Sequence, residues 1–147
     1  MEQIEVRRAV AGDAEGLTEC IRAAYAAYDG RISDLPDVTA GIAEDIARDV
    51  VWVAVSGGAI VGGLVMRLAG DVAHIANLAV HPDGAGTGLG KRLMRRAEEQ
   101  AHDAGVQEMR LATHVDLTEV QAFYARLGWS ETARAGNKVE MAKTLWR

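Results

Sequence analysis

The chain has 147 residues, enough for one domain with a substantial apolar core. Its 49% hydrophobic and 25% charged residues exclude a disordered chain, and no apolar run approaches the ~20 residues of a transmembrane helix. With 16 basic against 21 acidic side chains the net charge is −5, which argues against a nucleic-acid surface. The acidic start Met1–Glu5 argues against a signal peptide, and the single Cys20 cannot form an internal disulfide. Both point to a cytoplasmic location.

In chain order, Ile4–Ala9 reads as a strand. Asp13 is placed to cap a helix whose apolar positions Leu17, Cys20, Ile21, Ala24, Tyr25 and Tyr28 follow the 3.6 period. Asp29-Gly30 ends that helix, and Arg31–Val38, with Pro36, reads as a loop. A shorter helix follows, with Ile42, Ile46 and Val50 spaced by four. Val51–Val55, Ala59–Leu68 and Val72–Val80, separated by Ser56-Gly57-Gly58 and Gly70-Asp71, predict an antiparallel meander. The next helix carries Leu89, Leu93, Ala97 and Ala101 on one face and stops at Gly105. Glu108–His114 is a strand, Thr118–Leu127 a helix stopped by Gly128, and Trp129–Arg134 and Lys138–Leu145 are two final strands. The order is βαα-βββ-α-β-α-ββ, an α/β domain with a mixed sheet.

Between the third strand of the meander and the helix after it lies Val80-His81-Pro82-Asp83-Gly84-Ala85-Gly86-Thr87-Gly88-Leu89-Gly90-Lys91. Glycine at alternate positions leaves room for backbone N–H groups to close around a phosphate, and the helix start adds its own unpaired N–H groups and dipole. Two common phosphate loops fail on spacing. A P-loop ending at Gly90-Lys91 would need glycine at Ala85 and Ser or Thr at Arg92. The dinucleotide pattern G-x-G-x-x-G, started at Gly84, Gly86 or Gly88, ends on Leu89, Lys91 or Leu93.

The window Ala85-Gly86-Thr87-Gly88-Leu89-Gly90 resembles instead the acetyl-CoA loop of the GNAT N-acetyltransferase superfamily, Gln/Arg-x-x-Gly-x-Gly/Ala. A second element, Phe123-Tyr124-Ala125-Arg126-Leu127-Gly128-Trp129, is similar to that family's F-Y-x-x-x-G-F/W segment. The resemblance implies a mostly antiparallel GNAT sheet flanked by helices, with acetyl-CoA as co-substrate. It implies that the strand before the loop splays from its neighbour, and that the backbone of Leu78, Ala79 and Val80 pairs with the pantetheine arm, one N–H at Val80 serving as oxyanion donor. Ala85, Gly86, Thr87, Gly88, Leu89, Gly90 and Lys91 would then hold the diphosphate. Ala85 departs from the family's Gln or Arg, which removes a side-chain contact and leaves the backbone cradle. Lys91 and Arg92 also read as the start of a solvated basic face continued by Arg95 and Arg96.

The resemblance makes Tyr124 the general acid that protonates the leaving thiolate; outside the motif it would read as a packing residue. Phe123 and Leu127 are expected to face the core, whereas Tyr124 need not. Val120 and Leu117 stand where relatives often carry a cofactor-contacting Asn. Period-2 alternation would put His74, Ala76, Leu78 and Val80 on one face, and His74 stands where histone-acetylating relatives carry a basic glutamate. His74 also reads as a polar residue at a strand start, with His114 or a water chain as the other routes for the proton. Tyr25, Tyr28 and the Arg31–Asp37 loop would border the acceptor site. Ala76, Ala79 and Thr113 would set the depth of the acyl pocket. No metal-ligand spacing and no G-x-S-x-G elbow occurs, so direct transfer to a primary amine in a ternary complex is expected, with no metal, nucleic-acid or membrane partner. A non-catalytic acyl-CoA sensor of the same fold and a transferase for another acyl group are the competing readings. A homodimer through the last strands is a further implication of the family.

Overall fold

Strand β1 spans Ile4–Arg8, helix α1 Ala14–Ala26 and helix α2 Ile42–Arg48 in the computed structural model, which describes residues 3–26 and 41–145. Strands β2 (Val50–Ser56), β3 (Ala59–Ala69) and β4 (Val72–Val80) follow, then helix α3 (Leu89–Asp103), strand β5 (Glu108–His114), helix α4 (Thr118–Arg126) and strands β6 (Ser130–Ala135) and β7 (Lys138–Thr144). Tyr28, the Asp29-Gly30 helix end and the Arg31–Asp37 loop lie outside the described residues. Among those described, the strands form one seven-stranded sheet in the order β1-β2-β3-β4-β5-β7-β6. Every neighbouring pair is antiparallel except β4 and β5, which α3 connects. The insertion of β7 between β5 and β6 is a tertiary choice that local patterning does not encode. No helix of the described residues is long and apolar enough to cross a membrane.

Each face of the sheet buries its own helices. Leu17 and Ile21 of α1 and Ile42 of α2 pack against Val51, Val53, Val65 and Ala79. On the other side Leu89, Leu93, Met94, Ala97 and Ala101 of α3 pack against Leu64, Met66 and Ile75. The adjacent Gly62 and Gly63 of β3 point to opposite faces and let both helices approach. A Cβ on Gly63 would overlap the Leu17 side chain, and one on Gly62 would stand 3.0 Å from Leu89 Cδ2. Cys20 lies in the α1 interface, 2% exposed, and burial pushes its thiol up to about 11, so it is a core residue and not a nucleophile.

Two local expectations are corrected. Val50 does not extend α2; it opens β2 opposite Met66, because Asp49 is already extended and its carboxylate, with that of Asp45, receives the Arg67 guanidinium of β3 at 3.0 and 3.2 Å. Asp13 does not cap α1 in the forward direction. Its carboxylate accepts the Val10 N–H at 2.8 Å and pairs with Arg7 at 2.8 Å, closing a 3₁₀ turn (Ala11–Asp13) ahead of the helix.

Candidate active site

Strands β4 and β5 pair over only three residues, from Val72 opposite Glu108 to His74 opposite Arg110, and then separate. The cause lies in β4. Ile75 faces Met66 and Asn77 faces Val65, so Ala76 is an extra residue, a β-bulge that bends its strand away from the straight path. The bulge also reverses the alternation. His74, opposite Arg67, and Asn77, opposite Val65, lie on the α1–α2 face, whereas Leu78 and Val80, opposite Leu64 and Gly62, lie on the α3 face. The expectation that His74, Ala76, Leu78 and Val80 share one face is therefore wrong, because period 2 holds only where no residue is inserted.

Beyond the bulge the backbone of β4 addresses the opening. The His81 N–H donates to Val61 O of β3 at 2.8 Å, so by antiparallel alternation the N–H groups of Val80 and Leu78 point away from β3, into the gap. Ala79, in the intervening register, points its N–H at β3 and offers the gap nothing from its backbone.

The glycine loop begins where β4 ends. Pro82–Gly84 forms a 3₁₀ turn, and Gly86 and Gly88 then take φ of 77° and 76°, the left-handed region that favours glycine. The Thr87 hydroxyl donates to Gly84 O and ties the loop to its own start. Arg92 has the first N–H of α3 that finds an acceptor, Gly88 O at 3.1 Å. Among the described residues, the N–H groups from Gly86 to Lys91 donate to no acceptor. Six consecutive unpaired donors at the positive end of a helix form an anion cradle, and nothing stands within 4 Å of where a Cβ on Gly86 or Gly88 would project. The Arg92 guanidinium turns away to donate to Ile4 O at 3.0 Å.

The cradle is one end of a groove of about 360 Å³ between α1, α3, α4 and the opened strands. Nine of the ten predicted cofactor residues line it: Leu78, Ala79, Val80, Ala85, Gly86, Gly88, Leu89, Gly90 and Lys91; Thr87 supports it from behind. Tyr25 of α1 lines it as well, together with Glu119, Val120 and Phe123 of α4, the first of which the sequence did not single out. Tyr124 lies at the inner end. Its ring is edge-to-face with Phe123 (centroids 5.2 Å apart) and with the buried Trp129 (5.7 Å). At 6% exposure it is the buried residue of α4, while Phe123 and Leu127 are only half-buried, the reverse of the expected order.

A cavity of about 90 Å³ continues inward from Tyr124 through the gap between β4 and β5. Tyr25, Leu78, Val120 and Tyr124 border both spaces, and Ala76, Asn77 and Thr113 border only the inner one. Of the predicted acyl-pocket residues, Ala76 and Thr113 therefore line the cavity and Ala79 the groove. His74 lies in neither; it lines the next groove outward, with Arg67, Glu108 and Arg110. His114 Nδ1 is occupied by the Asp116 N–H at 3.0 Å. Asn77 is the residue that pattern reading missed. It is 7% exposed, and neither its Nδ2 nor its Oδ1 has a hydrogen-bond partner.

A mixed sheet opened beside a parallel pair, with a glycine anion cradle at one end of the opening and a buried tyrosine at the other, defines an acyltransferase-type α/β fold. The acetyltransferase (GNAT) family model matches residues 18–129, and the chain belongs to that family. The PaiA N-acetyltransferase of Thermoplasma acidophilum, solved in complex with coenzyme A, shares the fold with a TM-score of 0.86 at 22% identity, over 97% of this chain and 99% of that one. A GNAT-family acetyltransferase of Staphylococcus aureus Mu50 gives a TM-score of 0.85 at 16% identity, over 98% and 100%. The probable glucosamine 6-phosphate N-acetyltransferase 2 of Oryza sativa subsp. japonica is 34% identical over 91 residues, 61% of this chain. The match covers 52% of that relative, so the chain spans about half the length of the curated relatives it matches.

Proposed function

We propose that this chain transfers an acetyl group from acetyl-CoA to a primary amine by direct attack. The observation that carries the reading is the placement of six unpaired N–H groups and a buried tyrosine at opposite ends of one groove. Acetyl-CoA supplies an acyl group already activated as a thioester. The residues present fit its diphosphate, because the donors from Gly86 to Lys91 have no acceptor among the described residues and Lys91 adds a positive charge. The Val80 N–H, aimed into the gap, is positioned to polarise a carbonyl oxygen held there. The Tyr124 hydroxyl is the proton donor at the point where a thiolate departs. The proton lost by the amine leaves by water toward the outer groove, where His74 stands at the exit.

The rice relatives are named for glucosamine 6-phosphate, which makes that amino sugar the first acceptor to try. The single buried thiol suits a reducing compartment, and the reading places the enzyme in the cytoplasm. Calorimetry with acetyl-CoA, followed by coenzyme A release in the presence of glucosamine 6-phosphate, simple alkylamines and peptides with a free N-terminus, tests the proposal. Micromolar binding with amine-dependent release supports it. Binding without release to any amine would make the chain an acyl-CoA sensor.

A further inference from the structure

Three buried side-chain polar atoms among the described residues have no hydrogen-bond partner: Nδ2 and Oδ1 of Asn77, and Nε1 of Trp129. The tryptophan does not border the inner cavity; Asn77 does. An amide offers two donors and two acceptor lone pairs, and burying all of them unpaired is costly enough that a packing role alone would favour leucine at this position. The register opposite Val65 places Asn77 on the face covered by α1, in an otherwise apolar layer. On α1 the spacing Leu17, Ile21, Tyr25 carries the same stripe to the cavity, so Tyr25 borders it from the α1 side and Tyr124 from the α4 side.

We infer that Asn77 holds the nitrogen of the acceptor amine, its Oδ1 accepting one N–H of the attacking group inside the cavity between Tyr25 and Tyr124. The inference rests on the acetyltransfer reading and adds to it the residue that orients the nucleophile. At about 90 Å³ the cavity is small, with room for an amino group and an acyl methyl. A larger acceptor extends into the outer groove, which shares Ala76 and Ala112 with the cavity. In the step itself a C–N bond forms and the C–S bond breaks. The sulfur takes the Tyr124 proton, and the nitrogen gives its own to water. The Asn77 amide is not basic and takes no proton; by accepting one N–H it aims the nitrogen lone pair at the acyl carbon.

Asn77→Leu, close in shape and unable to hydrogen-bond, tests this in parallel with the wild type. The variant should melt at or above the wild-type temperature, bind coenzyme A within about twofold, and lose ~10²-fold in kcat/KM for the amine, as expected of a misplaced nucleophile. In the wild-type protein saturated with coenzyme A, the Asn77 side-chain amide resonances should shift saturably as n-propylamine is added; this measurement does not depend on the variant folding. Wild-type amine kinetics in Asn77→Leu, or resonances that do not move, would mean that the amide holds only a buried water and would overturn the inference. A wild type that binds no coenzyme A or acetylates no amine would instead overturn the acetyltransfer reading beneath it.

Discussion

The ring edge of Phe123 lies 3.2 Å from the point where a Cβ would stand on Gly90, so the helix that opens at the anion cradle touches the helix that carries Tyr124. Both residues line the groove, so the contact sets how closely two of its walls approach. Gly90→Val should cost ~1–3 kcal/mol by overpacking, after any gain in helix propensity. It should also weaken acetyl-CoA binding, because the displaced Phe123 ring lines the groove. Urea unfolding and calorimetry on the same variant check both effects; unchanged affinity would show that the groove widens elsewhere.

A second loop variant separates charge from shape. At Gly88 a side chain meets nothing within 4 Å, so its cost is the strain of a φ of 76°, ~1–2 kcal/mol. Gly88→Glu should therefore remain folded while placing a carboxylate beside the unpaired N–H groups. Acetyl-CoA affinity should fall by at least ~10-fold, and Gly88→Ala should lose much less. Equal losses in the two variants would assign the effect to backbone strain.

Acid stability should depend on Asp13. The Arg7 guanidinium holds its carboxyl below the usual 3.8, outweighing the opposing effect of burial. A carboxyl lowered in the folded state contributes stability above its unfolded value, lost as pH falls through the folded one. Asp13→Asn should be less stable by ~0.5–1 kcal/mol at pH 7, a figure discounted because Arg7 is partly solvated. The difference should shrink below pH 3.8 in urea titrations. A gap that stays constant down to acid pH would show that the loss comes from the Val10 N–H and not from the ion pair.

How far the sequence foretold the site can be traced through β4 and its loop. The element order, the meander and the glycine cradle were legible because each rests on local periodicity and turn chemistry. The order β5-β7-β6 was not, since it depends on which edge a late strand finds. The bulge at Ala76 was equally silent: one inserted residue between Ile75 and Asn77 leaves no mark in composition, yet it moves His74 to the opposite face from Leu78 and Val80. Asn77 escaped for the same reason. Under unbroken alternation it falls among the apolar positions of one face, and only the folded chain shows its amide unpaired beside a cavity. The burial of Tyr124 between Phe123 and Trp129 likewise needed the sheet, because the helical period of α4 alone favoured Phe123 and Leu127.

Tyr124→Phe tests the central claim most directly, since it keeps the ring between Phe123 and Trp129 and deletes only the hydroxyl. With an acceptor identified, kcat and the acetyl-CoA KM are measured for wild type and variant under conditions where chemistry limits turnover. A phenol acting in the transition state predicts a loss of ~10²–10⁴-fold in kcat, with the acetyl-CoA KM and calorimetric affinity nearly unchanged because the loop supplies the grip. Full turnover in Tyr124→Phe would contradict the account, leaving the buried tyrosine a packing residue and the thiolate to draw its proton from water.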